Sequence, residues 1–223
     1  MEDPLPPRPA HAQVGTPEGG LSGLLSGLVS GRVSPADASV TTLPAPSGAR
    51  AAVVGGTAWH VVAADVDADW VAAQVADDPI AAPLGARFLS ALADRIGAEP
   101  GVLDAVLLAP PLPGGARDLV PVELEHPRVD RALLYRADVG VWASADGTGM
   151  LTLGRGVAGR LEVSLEVEPG SRSRGRGTAL ALAARSLATE AVWAQVAPAN
   201  TASLRAFLAA GYRPVGAEVL FGP

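Results

Sequence analysis

The sequence predicts an α/β (α+β) fold: a mixed, mostly antiparallel central sheet flanked by helices, with an N-terminal α/β extension. Three observations carry this. Beyond residue 117 the hydrophobic pattern runs strand, helix, three antiparallel strands, helix, strand, helix, strand. Within that run Leu161, Val163, Leu165 and Val167 alternate with Glu162, Ser164, Glu166 and Glu168, the period-two mark of a strand with one apolar face. Residues 51–116 carry further short apolar strands and helical stretches. The chain is therefore expected to divide into a flexible arm over 1–50, an α/β region over 51–116 and a C-terminal domain over 117–223.

The first fifty residues are rich in Pro, Gly, Ala and Ser, the composition of a flexible arm. Within them Gly19, Gly23, Gly27 and Gly31 recur every four residues among Leu21, Leu24, Leu25, Leu28 and Val29. That spacing suits a short docking helix or a linker, and it is too short to span a bilayer. Ala51 to Gly55 and Ala58 to Ala63 are expected as strands, Asp69 to Ala76 and Leu84 to Ile96 as helices, and Leu103 to Leu108 as an apolar strand. The breaker Pro110-Pro111-Leu112-Pro113-Gly114-Gly115 marks a domain boundary. After it, Leu119 to Glu123 reads as a strand, and Pro127 to Ala137 as a helix with Val129, Leu133 and Leu134 on one side. Val139 to Ala143 and Met150 to Leu153 flank Asp146-Gly147, a hairpin signal. Pro169-Gly170 ends the alternating strand. A helix over Thr178 to Ala188, a strand over Val192 to Val196 and a helix over Thr201 to Ala210 follow, the last burying Leu204, Phe207 and Leu208. Asn200 suits its N-cap and Gly211 its C′ position, and Pro214 opens a final strand running to Phe221.

Composition removes several chemistries. All 17 basic residues are Arg, so no lysine can serve as a Schiff-base former or general base. The chain has no Cys, which excludes disulfides, thiolate metal sites and a thiol acyl-enzyme. Its net charge of −6 is uneven: residues 51–116 hold two Arg against eight acids, while residues 117–223 hold twelve Arg against eleven. That distribution argues against a nucleic-acid surface and leaves room for a local anion site. Met1-Glu2-Asp3-Pro4 is acidic and no long apolar run follows, so a cytoplasmic protein without a membrane partner is the expectation. His11, His60 and His126 are scattered and form no metal-ligand spacing.

Two glycine motifs differ in context. Gly154-Arg155-Gly156-Val157-Ala158-Gly159 fits a dinucleotide string but leads into the alternating strand, so it reads as a strand-to-strand turn. Arg172-Ser173-Arg174-Gly175-Arg176-Gly177-Thr178 instead joins a strand to a helix. There the glycines let backbone N–H groups converge at a helix N-terminus, an anion cradle to which three Arg add charge and for which a diphosphate is the natural ligand. A solvated Arg-rich loop is the plainer alternative, and it stays open on this heptapeptide alone.

Arg172-x-x-Gly175-x-Gly177, preceded by Leu165-Glu166-Val167-Glu168-Pro169, resembles the acyl-CoA pyrophosphate motif of the GNAT N-acetyltransferases. Val192 to Ser203 through Phe207, and Gly211-Tyr212-Arg213-Pro214-Val215-Gly216, look like the same family's following strand, helix and final strand. The likeness covers residues 119–223. It implies a GNAT-like domain using acetyl-CoA as co-substrate, with no metal, and residues 51–110 completing its sheet or helices. By resemblance, Leu165 and Val167 would pair with the pantetheine arm and acetyl carbonyl. Arg172, Ser173, Arg174, Gly175, Arg176, Gly177 and Thr178 would hold the pyrophosphate, and Asn200, with Ser203 and Phe207 beyond it, would flank the pantetheine.

The implied reaction is direct attack of an amine on the thioester, helped by a base and an acid. Many relatives place a Tyr acid where this chain has Phe207, and the branch acting on protein N-termini places a Glu base where it has Gln195. Glu162, with Glu166 on the same face, is then the substitute base, and Tyr212 or Tyr135 the available acid; both glutamates on a solvated strand face is the plainer alternative. The implied partner is a small-molecule amine or a peptide acceptor, and a homodimer is left open. Two other functions remain: a non-catalytic acyl-CoA-binding or regulatory module, and an Arg-lined anion scaffold.

Overall fold

A computed structural model describes residues 19–32, 34–114 and 118–222. Ten strands form one sheet: β1 (Ser39–Leu43), β2 (Ala51–Gly56), β3 (Trp59–Ala63), β4 (Asp104–Ala109), β5 (Leu119–Pro121), β6 (Ala137–Ser144), β7 (Gly149–Arg155), β8 (Leu161–Val167), β9 (Val192–Val196) and β10 (Arg213–Phe221). Their spatial order is β1-β3-β2-β10-β4-β9-β8-β7-β6-β5. Only β1/β3 and β8/β9 run parallel. The helices are α1 (Gly20–Val29), α2 (Ala68–Val75), α3 (Ala86–Ile96), α4 (Pro127–Tyr135), α5 (Arg176–Leu187) and α6 (Thr201–Ala209).

Strand alternation sends neighbouring residues to opposite faces, and each face has its own cover. Leu107, Leu151, Val163 and Ala194 pack with Leu180, Ala181 and Phe207 under α5 and α6. Val53, Val62, Val219 and Phe221 extend that face under α2 and α3, meeting Val71, Phe88 and Leu92. On the opposite face Val54, Val61, Val106 and Trp193 pack against Leu21, Leu25 and Leu28 of α1. Local chemistry sets the helix ends. The Asp67 side chain accepts from the Asp69 and Trp70 amides at the start of α2, His126 caps α4 just ahead of Pro127, and Gly97 closes α3 at φ 63°.

Several expectations need correction. Within the stretch expected as a flexible arm, residues 20–29 are a helix docked on the sheet through leucines one turn apart, the first of the two alternatives for that run, and residues 39–43 are an edge strand instead of flexible chain. The part of that arm at 1–18 lies outside the described residues. The breaker at Pro110 divides the sequence but not the sheet: β4, from before it, lies between β9 and β10, from after it. Within α4, Leu133 and Leu134 are 60% and 61% exposed, whereas Val129 and Ala132 are buried. Arg128 in the first turn of α4 and Arg136, the extended residue that ends it, reach the strand face beneath, because that face carries carboxylates. Leu208 of α6 is likewise exposed.

Candidate functional site

β8 and β9 begin side by side, pairing Leu161 with Val192 and Glu162 with Trp193, and then part. β8 stays tied to β7 as far as Val167, and β9 stays tied to β4 as far as Val196. A wedge opens between the two halves of the sheet. The chain leaves β8 through Ser173 at φ 60° and Gly175 at φ 77°, two left-handed residues that aim the N-terminus of α5 at the mouth of the wedge. No side chain caps that helix. Its partner α6 is capped by Asn200, whose side chain accepts from the Ser203 amide. A Cβ on Gly177 would lie 3.2 Å from that of Ala206, so glycine there lets α5 and α6 approach closely beside the cleft.

The resulting cleft, of about 690 Å³, is walled by Leu165, Glu166 and Val167 on β8, by Arg172 to Thr178 without Arg174, and by Asn200, Ser203 and Ala206. Leu165, Val167, Arg172, Ser173, Gly175, Arg176, Gly177, Thr178, Asn200 and Ser203 thus meet at one place. Arg174 is exposed just outside it and makes no ion pair among the described residues. The other two arginines of the turn are partly engaged. Arg172 donates to the Val167 carbonyl at 3.0 Å and reaches Glu166 at 3.4 Å, and Arg176 pairs with Asp146 at 2.8 Å. Hydrogen bonds from Thr148 and Ser144 hold the Asp146 carboxyl well below the usual carboxylate range.

Glu166 faces the cleft from the other side of the strand, gripped by Arg128 of α4 at 2.6 and 2.8 Å. Glu162 is 3% exposed at the closed end of the wedge. Its oxygens accept from Arg136 Nε at 2.9 Å and Arg160 Nε at 2.8 Å. The solvated strand face given as the plainer alternative for Glu162 is corrected by this burial, and the two guanidiniums occupy the carboxylate expected as substitute base. A Cβ on Gly156 would overlap the Glu162 carboxylate, so the glycine-rich turn leaves room for a buried charge. Arg160 continues through both Nη atoms to Glu218 of β10, passing 5.3 Å from the Trp193 ring, and Gln195 Nε2 donates to the same carboxylate at 2.7 Å. Arg136 also donates to the Ser164 hydroxyl at 2.7 Å.

Tyr212 and Phe207 are displaced from their expected places. Tyr212 is 2% exposed, its hydroxyl donates to the Ala181 carbonyl at 3.3 Å, and burial pushes the phenol far above its ordinary range. It cannot reach the cleft as an acid. Phe207 stacks edge-on against it, ring centres 4.9 Å apart, in the core behind α5 and not on the cleft wall. Of the imidazoles, His60 is buried, which lowers its pKa, and His126 caps α4. His11 lies outside the described residues. No group of His, Asp or Glu able to hold a metal occurs among the described residues. No described helix is long and apolar enough to cross a membrane.

Arg128, Arg136, Arg160 and Glu218 escaped notice in the sequence. Two Arg eight residues apart, Arg128 and Arg136, ahead of an alternating-Glu strand, and one Glu inside the apolar run Ala217 to Phe221, were the available signals.

No model of a known protein family matches the chain, and no curated protein matches it. Among solved structures, a GCN5-related N-acetyltransferase from Kribbella flavida is similar at 17% identity with a TM-score of 0.37, over 60% of this chain and 63% of that one. The match spans less than two thirds of that structure's length.

Proposed function

We propose that the wedge binds an acyl-CoA and that the protein is an N-acetyltransferase of GNAT type, moving an acetyl group directly from acetyl-CoA to an amine of a small molecule or peptide. One observation carries this reading: strand edges freed beyond Glu162 and Trp193 open onto an uncapped helix N-terminus behind a glycine turn. The unpaired edge of β8 suits the amides of a pantetheine arm, bound as an added strand. The N-terminal amides of α5, with Arg174 and its neighbours, suit a diphosphate. The sheet ends its pairing at the point where a thioester carried on that arm would lie. Direct transfer needs no covalent enzyme intermediate, in keeping with a chain that has no Cys for a thiol acyl-enzyme.

Calorimetric titration with acetyl-CoA, CoA and pyrophosphate, followed by CoA release over a panel of amines, tests the proposal. Pyrophosphate binding as tightly as acetyl-CoA would leave only an anion scaffold. Gly175→Glu forces a side chain into φ 77° and sets a carboxylate at the anion site, so acetyl-CoA affinity should fall at least about 100-fold. Unchanged affinity would refute the site. A second reading, a non-catalytic acyl-CoA-binding module, is favoured by the burial of Tyr212 and the engagement of Glu162. Tight CoA binding without turnover on any amine supports it.

A further inference from the structure

Asp104 opens β4 and stands directly opposite Glu218 of β10, so the two carboxylates share one sheet face about 5 Å apart at Cβ. That face also carries Gln195, Trp193 and Glu162, and β9 alone separates β4 from the wedge. The buried network beside Asp104 is balanced. Arg136 and Arg160 offset Glu162 and Glu218, and every oxygen of those two carboxylates accepts a guanidinium N–H. Asp104 takes no part in that exchange, and Arg131 on α4 acts on it only through space. It is half-buried and has neither an ion pair nor a side-chain hydrogen bond among the described residues. Gln195 stands diagonally between Asp104 and the wedge. Its amide nitrogen is fixed on Glu218, and its carbonyl oxygen has no protein donor among the described residues. A half-desolvated carboxylate without a partner is unfavourable as the anion, and a proton or a bound cation relieves it. The acceptors left open here, one carboxylate and one amide oxygen, match the donors of a primary ammonium.

We propose that the acceptor is a primary alkylammonium that docks on Asp104 and the Gln195 carbonyl beside Glu218, and that Asp104 takes its proton; this rests on the transferase function proposed above. The bookkeeping closes. The ammonium gives one proton to the Asp104 carboxylate, and the freed amine forms a C–N bond to the thioester carbon. The C–S bond breaks, the nitrogen's second proton ends on the departing sulfur, and Asp104 releases its proton to water. The groups facing Asp104 fit that duty. Burial, then Glu218 on β10, push its carboxyl up to about 6; Arg131 on α4 and Arg160 oppose this, and Glu162 on β8 adds to it weakly. A base in that range is available near neutral pH and can still hold a proton in transit.

The test uses the full chain labelled with carbon-13, the Asp104 carboxyl resonance being identified by its loss in Asp104→Asn. Butylammonium chloride should lower the midpoint of Asp104 titration by about one pH unit, and tetramethylammonium, a cation without N–H donors, should not. Turnover of acetyl-CoA with butylamine, putrescine, spermidine and a lysine peptide is measured in parallel. In Asp104→Asn, kcat/KM should fall at least about 100-fold and the rise in rate through pH 6 should vanish, with acetyl-CoA affinity unchanged. A midpoint unmoved by butylammonium overturns the ammonium site, whatever the turnover. Acetylation undiminished in Asp104→Asn overturns it too, and leaves the transferase function standing. A shifted midpoint with no amine acetylated supports the ammonium site and refutes the transferase function instead.

Discussion

Replacing Arg160 by Met removes the cation that joins Glu162 to Glu218. Arg160 is 5% exposed and donates to both carboxylates. In the variant Glu162 keeps Arg136, but Glu218 keeps only the Gln195 amide. Breaking a buried pair from one side strands a charge in the interior and destabilises by about 3–5 kcal/mol. At about 2–4 °C per kcal/mol for a chain of this length, Tm should fall by roughly 10 °C. Urea unfolding followed by tryptophan fluorescence gives the free energy, with Trp193 lying against the guanidinium as a reporter. The double variant Arg160→Met/Glu218→Met swaps the pair for apolar groups of similar size. It should recover to within about 2 kcal/mol of the parent, since such swaps are near neutral. A single variant within about 1 kcal/mol of the parent would mean that the pair is solvated and would refute the network. A double variant as unstable as the single would assign the loss to packing rather than charge.

Gly156→Ala drives a methyl group into the Glu162 carboxylate, and overpacking against a fixed ion pair should destabilise by about 1–3 kcal/mol in the same assay; an unchanged midpoint would show the carboxylate free to move. Asp104 gives stability a pH dependence of unusual sign. Its folded pKa, about 6, lies above the unfolded value, so its contribution is full below about pH 4 and is lost as pH rises to about 6. Against the parent, and with solvent screening of a half-buried group, Asp104→Asn should therefore gain about 1–2 kcal/mol of relative stability between pH 4 and pH 7, and a flat difference would refute the shift. Tyr212→Phe removes one hydrogen bond, to the Ala181 carbonyl, and should lower stability by about 1 kcal/mol while leaving turnover and acetyl-CoA affinity unchanged; a loss of turnover would return the phenol to the mechanism.

The strands flanking the wedge were legible end to end, Leu161 to Val167 and Val192 to Val196, because period-two alternation and turn residues bound them locally. The turn that leads into α5 was legible for the same reason: Gly175 and Gly177 lie between a strand and a helix, a context visible along the chain. What covers a strand face is not a local property. Glu162, Ser164 and Glu166 look the same under water as under Arg128 and Arg136, and Leu133 and Leu134 suggest an inward face that the carboxylates below cannot accept. Strand order is equally non-local. Nothing in the run Asp104 to Ala109 announces that it fits between β9 and β10, and so Asp104 stood far in sequence from the residues it faces.

The wedge itself poses a physical question, since two parallel strands that stop pairing after two residues leave backbone groups without partners. The position of the ion network supplies an answer. Arg160 precedes β8, grips Glu162 on that strand, crosses the Trp193 ring of β9 and grips Glu218 on β10. It is a strap laid across the sheet at the last point where β8 and β9 still pair. Arg136 ties α4 to the same carboxylate and to Ser164, so the helix and the strap brace one end of the opening. Beyond Trp193 no such strap is present among the described residues: Glu166 is held by α4 and the turn before α5, on the β8 side alone. Charge pairing at the closed end and its absence across the open end place the opening where it lies. Burying Glu162 between two guanidiniums thus serves the shape of the wedge.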